Sequence, residues 1–341
     1  MAEVPSVSIA LPAHNERDII EKSLDRLLSL RESVDFPWDF EIIVVDDGSS
    51  DETAMLVQNF IRGGEKVRLI SHPKNLGRGA AVRTAMAEFH GRVLVVLDSD
   101  LSYSPEVVGA LAKPILEGLA DLTLASPYSD GGEVINVPLH RASISRLGNF
   151  VLRDSFAARR PTSTSIVRGY SKKLTESLSL TATGKELNLE VLYKTELLGF
   201  TILDVPATLR WPESRVQKSR GSTFRGVFSL APVAKSHLLF QFSSRPGMLF
   251  GGPFIVSALI FLYGSFTLAA SFVGKVLVGA ESALRVTFLE GAVTVYISSL
   301  ALVAALILAV LFYVVAQGKQ YFEEMFVLQS RIFYSLKSQS E

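Results

Sequence analysis

The chain has 341 residues, in which 34 lysines and arginines are balanced by 34 aspartates and glutamates. This length suits one sizeable domain with an appendage, and the balanced charge gives no electrostatic indication of a nucleic-acid partner. The absence of cysteine excludes disulfides, thiolate metal sites and cysteine nucleophiles.

Strands and helices are predicted to alternate over the first part of the chain. The expected strands are 7–11, 40–45, 67–70, 93–97 and 121–125, and the expected helices are 16–30, 51–60, 79–89 and about 105–117. Strands joined by such helices predict a mostly parallel α/β sheet with right-handed crossovers. Ligands of these sheets bind at the carboxyl ends of the strands.

Acidic residues follow three of the expected strands. Glu16 comes after the first, Asp46 and Asp47 end the second, and Asp98 and Asp100 end the strand at 93–97. Because residues i and i+2 of an extended chain point the same way, the last two carboxylates can share one ion. Their oxygens suit Mg²⁺ or Mn²⁺. Two aspartates in this spacing could equally cap a helix, but the convergence of acidic strand ends favours the metal site.

A glycine-rich segment, 75–81 (NLGRGAA), leads into the third expected helix. Backbone N–H groups at a helix start favour an anion, although a plain helix start with glycines for the turn is the simpler interpretation. The spacing is not that of a P-loop or of a dinucleotide-binding fingerprint.

The pattern loosens from 128 to 173, which we interpret as a loop and one helix (about 139–153) with several arginines, among them Arg168. A helix at 187–198 and a strand at 200–205 complete the domain, which we expect to span 1–210. The basic amphipathic segment 211–245 predicts a helix on an anionic membrane surface. A nucleic-acid surface is the competing interpretation, and the apolar segment that follows argues against it.

Two long runs without charged residues follow Arg245 and Glu290. Because roughly 20 apolar residues cross a bilayer, we expect two transmembrane helices within 246–318, at about 247–274 and 291–317. The positive charge that precedes them predicts a cytosolic domain and cytosolic termini, at the cell membrane in a prokaryote. The tail, 319–341, predicts a second interfacial helix or ordinary packing against the domain.

Four segments occur in the order seen in glycosyltransferase family 2: LPAHNE (11–16), VVDDGS (44–49), NLGxGA (75–80) and LDSDL (97–101). Over roughly 5–240 the chain resembles the polyprenyl-phosphate hexose synthases, which include dolichyl-phosphate mannose synthase and the bactoprenol glucosyltransferases. The resemblance implies a GT-A (Rossmann-like) fold. It also implies inverting transfer of mannose or glucose from a UDP- or GDP-hexose to a polyprenyl or dolichyl phosphate at the cytosolic membrane face.

The resemblance also implies roles for individual residues. Those that match donor-binding positions are Pro12, His14, Glu16, Val45, Asp47, Ser99, Arg141, Ser145 and Glu190. Asp98 and Asp100 match the catalytic metal-binding aspartates, and Ser102 stands where the family often has a metal-binding glutamine. The chain also has His14 in place of a tyrosine and lacks the usual arginine in 125–128 (ASPY).

A basic cluster, Arg215, Lys218 and Arg220, falls where the family has Arg, Ser and Lys, and we expect it to contribute to catalysis by binding the lipid phosphate. A lipid phosphate is already anionic, so it needs no general base to attack a sugar. It must instead approach an anionic diphosphate, and fixed cations make that approach favourable.

Two alternatives differ in their sequence requirements. A processive polysaccharide synthase needs a pore and a Gln-x-x-Arg-Trp motif, whereas this chain has Ala207 before Arg210-Trp211 and only two expected spans. A catalytically silent membrane scaffold would have no use for the acids that follow three strands. The sequence is compatible with a homo-oligomer and does not determine one.

Overall fold

The N-terminal part of the protein is built around a seven-stranded sheet. The computed structural model describes residues 5–138, 162, 164–211, 246–278 and 291–340, and the chain divides into two units, Met1–His237 and Leu238–Glu341. The strands are β1 (Val7–Ala13), β2 (Phe40–Asp46), β3 (Val67–Ser71), β4 (Val93–Val96), β5 (Leu122–Ser126), β6 (Glu133–Ile135), β7 (Arg168–Ser171), β8 (Ile202–Pro206) and β9 (Thr208–Arg210).

The main sheet has the order β3-β2-β1-β4-β7-β5-β8. Strands β1, β2, β3 and β4 are parallel to their neighbours in this group, and β5 is parallel to β8. Strand β7 is antiparallel to both β4 and β5. Strands β6 and β9 form a separate two-stranded parallel sheet. The mostly parallel α/β sheet expected from the sequence is confirmed.

Six helices accompany these strands in the described part of the N-terminal unit. They are α1 (Ile20–Leu28), α2 (Thr53–Arg62), α3 (Arg78–Glu88), α4 (Val107–Leu116), α5 (Lys172–Ser177) and α6 (Leu187–Leu197). Helix α1 is shorter than the predicted 16–30, because a turn closed by the Glu16 carbonyl precedes it and a 3₁₀ turn, Ser29–Glu32, follows it. Its apolar stripe, which includes Leu24 and Leu27, is fully buried.

The sequence interpretation missed β7, which it placed inside a loop. Its first residue, Arg168, has no exposed surface. The guanidinium donates to the Ser165 carbonyl at 2.7 Å and to the Asn188 carbonyl at 2.8 Å. Burial lowers the pKa of Arg168, and the nearby Tyr170 and Asp204 oppose that shift. Because a buried arginine interrupts the apolar pattern that identifies a buried strand, the sequence pattern did not indicate β7.

The described part of the C-terminal unit consists of two helices, α7 (Pro246–Leu277) and α8 (Ala292–Ser340). Both are long and apolar enough to cross a membrane, with mean hydropathies of 1.9 over Phe250–Leu277 and 2.8 over Ala292–Gln329. Only 6% and 11% of their most apolar 18-residue stretches are buried among the described residues, whereas the core helix of a soluble protein is mostly buried. They correspond to the two expected spans.

The two helices pack against each other as an antiparallel hairpin. Gly264 lies against Ser298 and Thr294, and Gly247 lies against Phe312. Helix α8 continues without a break beyond the expected boundary at 318 and through the described part of the tail.

Candidate functional site

Three strand ends meet at one edge of the main sheet. The chain leaves β1 at His14, β2 at Asp47 and β4 at Leu97, all in the same direction because the strands are parallel. His14 Nδ1 lies 2.9 Å from the Asp47 carbonyl. Ser99 Oγ donates to Glu16 Oε1 at 3.1 Å. The structure therefore brings the predicted residues that follow β1, β2 and β4 into one site.

The segment after β1 is held by hydrogen bonds to residues that follow β2. Asn15 has a positive φ of 55°, its N–H donates to Ser49 Oγ at 2.9 Å, and its Oδ1 accepts the Ser50 N–H at 2.9 Å. The Glu16 N–H donates to Thr53 Oγ1 at 2.9 Å. His14 and Asn15 are exposed, so a fixed backbone presents two polar side chains at the rim of the site.

Pro12 and Val45 lie opposite each other in the β1–β2 register. Pro12 is buried and Val45 has no exposed surface. Pro12 and Val45 thus lie two residues before His14 and Asp47 in the chain, and their contact with a nucleotide stays a prediction.

Asp47 organises the glycine-rich segment. Its Oδ1 accepts from His72 Nδ1 at 2.8 Å and from the Leu76 N–H at 2.9 Å, while Oδ2 accepts the Gly77 N–H at 2.9 Å. Burial raises the pKa of Asp47, but the hydrogen bonds from His72, Leu76 and Gly77 lower it by more. The anion that this segment binds in the structure is therefore the protein's own carboxylate.

The start of α3 is capped by a distant loop. The Thr183 carbonyl accepts the N–H groups of Gly79 at 2.7 Å and Ala80 at 3.2 Å. A Cβ at Gly77, where φ is 98°, would lie 2.5 Å from Thr183 O, and one at Gly79 would lie 2.6 Å from Gly184 O. Because the N–H groups of Gly79 and Ala80 are already used, the structure favours the simpler interpretation, a helix start with glycines for the turn, over an anion site at this position.

Glu190 holds that capping loop. Its carboxylate accepts the N–H groups of Thr181 at 3.0 Å and Ala182 at 2.9 Å, and Lys194 Nζ at 2.7 Å. Burial raises the pKa of Glu190, but hydrogen bonds from Lys194, Ala182 and Thr181 lower it overall. In the structure Glu190 braces the loop, and a direct contact with the donor stays a prediction.

Residues 98–102 follow the end of β4 and contain both aspartates, and we call them the acidic loop. This loop contains a tight turn. The Leu101 N–H donates to the Asp98 carbonyl at 3.0 Å, and Leu101 has a φ of 46°, a left-handed conformation that is uncommon for a bulky residue. Such outliers concentrate at functional sites. Asp98 is 21% exposed and forms an ion pair with Arg78.

The second carboxylate of this loop, Asp100, is oriented by Ser102. Asp100 Oδ1 accepts the Ser102 hydroxyl at 2.6 Å and the Ser102 N–H at 3.0 Å. Ser102 has no exposed surface, so the structure gives its hydroxyl a positioning role, and its contact with a metal stays a prediction. The Ser102 carbonyl accepts the Arg210 N–H at 2.8 Å, which fixes the end of β9 beside the acidic loop.

The donor set at this loop fits a divalent metal ion. Asp98 and Asp100 are both partly exposed, and carboxylate oxygens are the ligands that Mg²⁺ and Mn²⁺ prefer. Among the described residues, no group of three or more His, Cys, Asp or Glu residues could hold a metal. The aspartates would therefore leave several coordination positions to oxygens of a bound phosphate or of water.

Several predicted residues lie outside the part of the chain that the structure describes. They are the donor-binding Arg141 and Ser145, and the basic cluster Arg215, Lys218 and Arg220. The expected helix at 139–153 and residues 212–245 of the basic segment lie outside it as well.

The sequence interpretation did not single out Arg78, which reaches the acidic loop. The only signal was its place between the two glycines of the segment 75–81. It also missed Ser23, a buried α1 residue whose hydroxyl donates to the Ser99 carbonyl at 2.6 Å. No local pattern distinguishes that serine from a helix-surface residue.

Residues 8–179, half of the chain, match the sequence profile of Glycosyl transferase family 2. The chain is 30% identical to the dolichol-phosphate mannosyltransferase of Pyrococcus furiosus over 219 residues, which are 64% of this chain and 60% of that protein. It is 28% identical to the polyprenol monophosphomannose synthase of Mycolicibacterium smegmatis over 231 residues, 65% of this chain and 84% of that protein.

The match to the Pyrococcus protein thus spans three fifths of that relative's length. Among solved structures, the fold is similar to mannosyl-3-phosphoglycerate synthase from Rubrobacter xylanophilus, with a TM-score of 0.50 at 20% identity. That match covers 70% of this chain and 74% of the solved one, and it bears on the fold alone.

Proposed function

Because this chain belongs to glycosyl transferase family 2, with a GT-A-like sheet, we propose that it transfers a hexose from a nucleotide diphosphate sugar to a polyprenyl phosphate. The names of the Pyrococcus and Mycolicibacterium relatives specify dolichol-phosphate and polyprenol-phosphate mannose chemistry. These names support a lipid phosphate as the acceptor and a hexose as the transferred sugar. Our proposal takes mannose or glucose as that sugar and UDP or GDP as the donor's nucleotide.

The observation that carries the proposal is the position of Asp98 and Asp100. Both are partly exposed at the end of β4, beside the rim that follows β1 and β2. An inverting sugar transfer needs groups that hold a diphosphate while the bond between the sugar and that diphosphate breaks. A divalent ion held by these two aspartates would neutralise the charge that develops on the departing diphosphate.

The rim supplies contacts for the rest of the donor. His14 and Asn15 present exposed polar groups, and Glu16 is fixed by its backbone bond to Thr53 and by Ser99. We assign the base and ribose to this rim and the diphosphate to the acidic loop. Because the backbone at both regions is fixed, the donor binds in one orientation. That orientation directs its anomeric carbon toward the acceptor.

The acceptor reacts in one displacement. An oxygen of the lipid phosphate forms a bond to the anomeric carbon while the bond from that carbon to the diphosphate breaks, so the configuration inverts. The attacking oxygen is already deprotonated, and no general base is needed. Cations that contact the lipid phosphate reduce its repulsion from the donor diphosphate.

We assign that contact to the basic cluster Arg215, Lys218 and Arg220. The Arg210 N–H bond to the Ser102 carbonyl supports this assignment, because it fixes the chain next to Asp100 just before the cluster begins. Five residues of extended chain span at most about 18 Å, a length that permits contact between Arg215 and a phosphate bound at the acidic loop. Changing all three cluster residues to alanine should abolish transfer to polyprenyl phosphate while leaving nucleotide binding unchanged.

The hairpin of α7 and α8 supports a two-span membrane protein whose N-terminal domain and tail lie on one side of the membrane. The positive charge that precedes the first span supports the cytosol as that side. The chain has no native cysteine, so single cysteines can report the topology. We expect Gln58→Cys and Ser338→Cys to resist a membrane-impermeant maleimide in intact cells and Ser282→Cys to react with it. Labelling of Gln58→Cys in intact cells would overturn the cytosolic assignment.

The reaction is tested with the purified full-length protein in liposomes that contain polyprenyl phosphate. UDP-glucose, UDP-galactose, GDP-mannose and GDP-glucose are offered separately with Mg²⁺ or Mn²⁺, and the lipid products are identified by mass. We expect one donor class to give a glycosylated lipid phosphate and EDTA to stop its formation. Asp98→Asn and Asp100→Asn should each reduce the rate about 100-fold or more.

The matched control is Asp25→Asn, which removes an exposed carboxylate from α1 and should keep the full rate. Binding of a nucleotide with metal, without any lipid product from any donor, would favour a catalytically silent scaffold over the proposed enzyme.

A further inference from the structure

Arg78 is mounted rigidly at the acidic loop. It is the first residue of α3 and lies between two glycines, each of which donates its N–H to a residue from another part of the chain. The Gly77 N–H donates to Asp47 at 2.9 Å, and the Gly79 N–H donates to the Thr183 carbonyl at 2.7 Å. Because neither glycine can move without breaking a bond, the arginine backbone is fixed next to the end of β4.

The side chain of Arg78 uses this mount to form an ion pair with Asp98. The two side chains are 39% and 21% exposed. A pair with that exposure contributes little to folding stability, so stability alone does not account for a guanidinium held against a carboxylate of the candidate metal site.

We propose that Arg78 couples metal binding to donor binding at this site, an inference that rests on the proposed function. A divalent cation that approaches Asp98 must share the carboxylate with a guanidinium of the same charge sign. Coulomb repulsion between the two cations therefore weakens the binding of metal by itself.

A nucleotide diphosphate changes this balance, because its phosphate oxygens provide negative charge for both cations. Arg78 then transfers from Asp98 to the diphosphate, and guanidinium donors form strong charge-assisted hydrogen bonds to phosphate oxygens. Asp98 is then available as a metal ligand, and Arg78 is available to bind the diphosphate. Each ligand therefore increases the affinity for the other, and this coupling is reciprocal.

The arrangement discriminates between a divalent metal ion that binds together with a nucleotide diphosphate and one that binds by itself. A site of two carboxylates without Arg78 would bind free divalent metal more strongly. With Arg78 in place, the protein binds metal chiefly together with a nucleotide diphosphate. Arg78 is thus a donor-binding residue that also sets the order in which the site fills.

The test measures binding rather than turnover. Binding of Mn²⁺ to the purified full-length protein in detergent is followed by the EPR signal of free Mn²⁺, with the protein alone and with UDP or GDP. For Arg78→Ala we expect the affinity for Mn²⁺ alone to rise about fivefold. We expect its affinity for the nucleotide in the presence of Mn²⁺ to fall about tenfold or more.

Arg78→Lys keeps the charge and loses the planar fork. It should match the wild type for Mn²⁺ alone and bind the nucleotide more weakly, and it serves as the informative variant if Arg78→Ala does not fold. The matched control is Lys74→Ala, which removes an exposed cation from the same loop and should leave both affinities within twofold.

The possible outcomes separate this inference from the proposed function. If the wild type binds Mn²⁺ more tightly with nucleotide than without it and Arg78→Ala behaves as expected, both are supported. If the wild type binds Mn²⁺ and nucleotide but Arg78→Ala changes neither affinity, or weakens Mn²⁺ alone, this inference is overturned and the proposed function stands. If the wild type binds neither ligand, both are overturned.

Discussion

The Thr183 carbonyl accepts the Gly79 N–H at 2.7 Å and so joins two parts of the chain that are distant in sequence. On one side of this bond, α3 begins and Arg78 reaches Asp98. On the other side, the loop at 181–184 is held by Glu190. A residue that braces a loop on one side of this bond therefore influences the position of an arginine at the acidic loop on the other.

Gly79→Ala is expected to disturb this junction. A Cβ at this position would lie 2.6 Å from Gly184 O and 2.7 Å from Thr183 C, so backbone must move, at a cost of about 1–3 kcal/mol. Both tryptophans of the chain, Trp38 and Trp211, lie in the N-terminal unit. Their fluorescence should report a melting temperature roughly 3–10 °C lower in the full-length protein.

The matched control is Gly109→Ala inside α4. The atoms nearest to its Cβ would belong to the Phe36 and Trp38 rings, at the ordinary contact distances of 3.4 and 3.5 Å. Alanine is favoured over glycine in a helix interior by about 1 kcal/mol. A melting temperature that falls equally in both variants would contradict the proposed importance of the Gly79 contact.

Glu190→Gln is expected to reveal a pH-dependent brace. The folded-state pKa of Glu190 is lowered, so its ionised form stabilises the fold above the unfolded-state pKa of about 4.3. That contribution is lost as the pH falls through the lower folded-state pKa. The wild type should therefore melt above Glu190→Gln at pH 7, and the difference should close as the pH falls below about 4.

Glu117→Gln provides the comparison for Glu190→Gln, because Glu117 is half-exposed and lies 4.0 Å from Lys113. Its melting temperature should stay close to that of the wild type at every pH. A gap for Glu190→Gln that is independent of pH would show that the carboxylate's charge is not the stabilising feature.

Ser102→Ala tests whether the serine acts through Asp100. Loss of the 2.6 Å hydrogen bond frees the carboxylate to rotate, and loss of such a supporting bond typically weakens metal binding about 10–100-fold. We expect this weakening for Mn²⁺ measured with nucleotide by EPR, with an unchanged fold by circular dichroism. Ser104→Ala, at an exposed serine that hydrogen-bonds Glu106, should bind normally. Normal metal affinity in Ser102→Ala would rule out the positioning role.

Arg168→Met is expected to destabilise the sheet strongly. The substitution keeps an extended side chain but removes the donor to the Ser165 and Asn188 carbonyls. Removing one member of a buried charged network costs about 3–5 kcal/mol. Tryptophan fluorescence should show a melting temperature lower by roughly 10 °C. Arg62→Met, at an exposed position ending α2, should melt like the wild type, and similar melting of both variants would contradict this account.

Gly264→Ala is expected to weaken the hairpin of α7 and α8, because its Cβ would collide with Ser298 Oγ. Gly274→Ala adds the same methyl group to the same helix, and nothing lies within 4 Å of its Cβ. Circular dichroism of the protein in detergent should show that Gly264→Ala loses helix at a lower temperature than the wild type, whereas Gly274→Ala does not. Identical melting of the two variants would contradict the close packing at Gly264.

The alternation of strands and helices was predictable because each central strand is a mostly apolar run that ends abruptly at polar residues. The local sequence pattern was enough to predict the runs that end near Ala13, Asp46 and Val96. It was also enough to predict the two long apolar helices. The acids at those ends then followed from the geometry of a parallel sheet.

The prediction failed where a residue's surroundings come from elsewhere in the chain. Strand β7 contains Arg168, whose burial is possible only because Ser165 and Asn188 accept its hydrogen bonds. The sequence also left open an anion site at the start of α3, because it gave no sign that Thr183, about a hundred residues away, accepts the N–H groups of Gly79 and Ala80.

The sequence by itself determined the mostly parallel sheet, the edge where the acidic residues collect, and the two apolar helices, since local periodicity and chain direction are enough to specify them. Only the tertiary structure decided that Asp47 and Glu190 brace loops and that Arg78 reaches Asp98. The physical reason is that a polar side chain's role depends on which donors and acceptors surround it, and most of those partners come from distant segments.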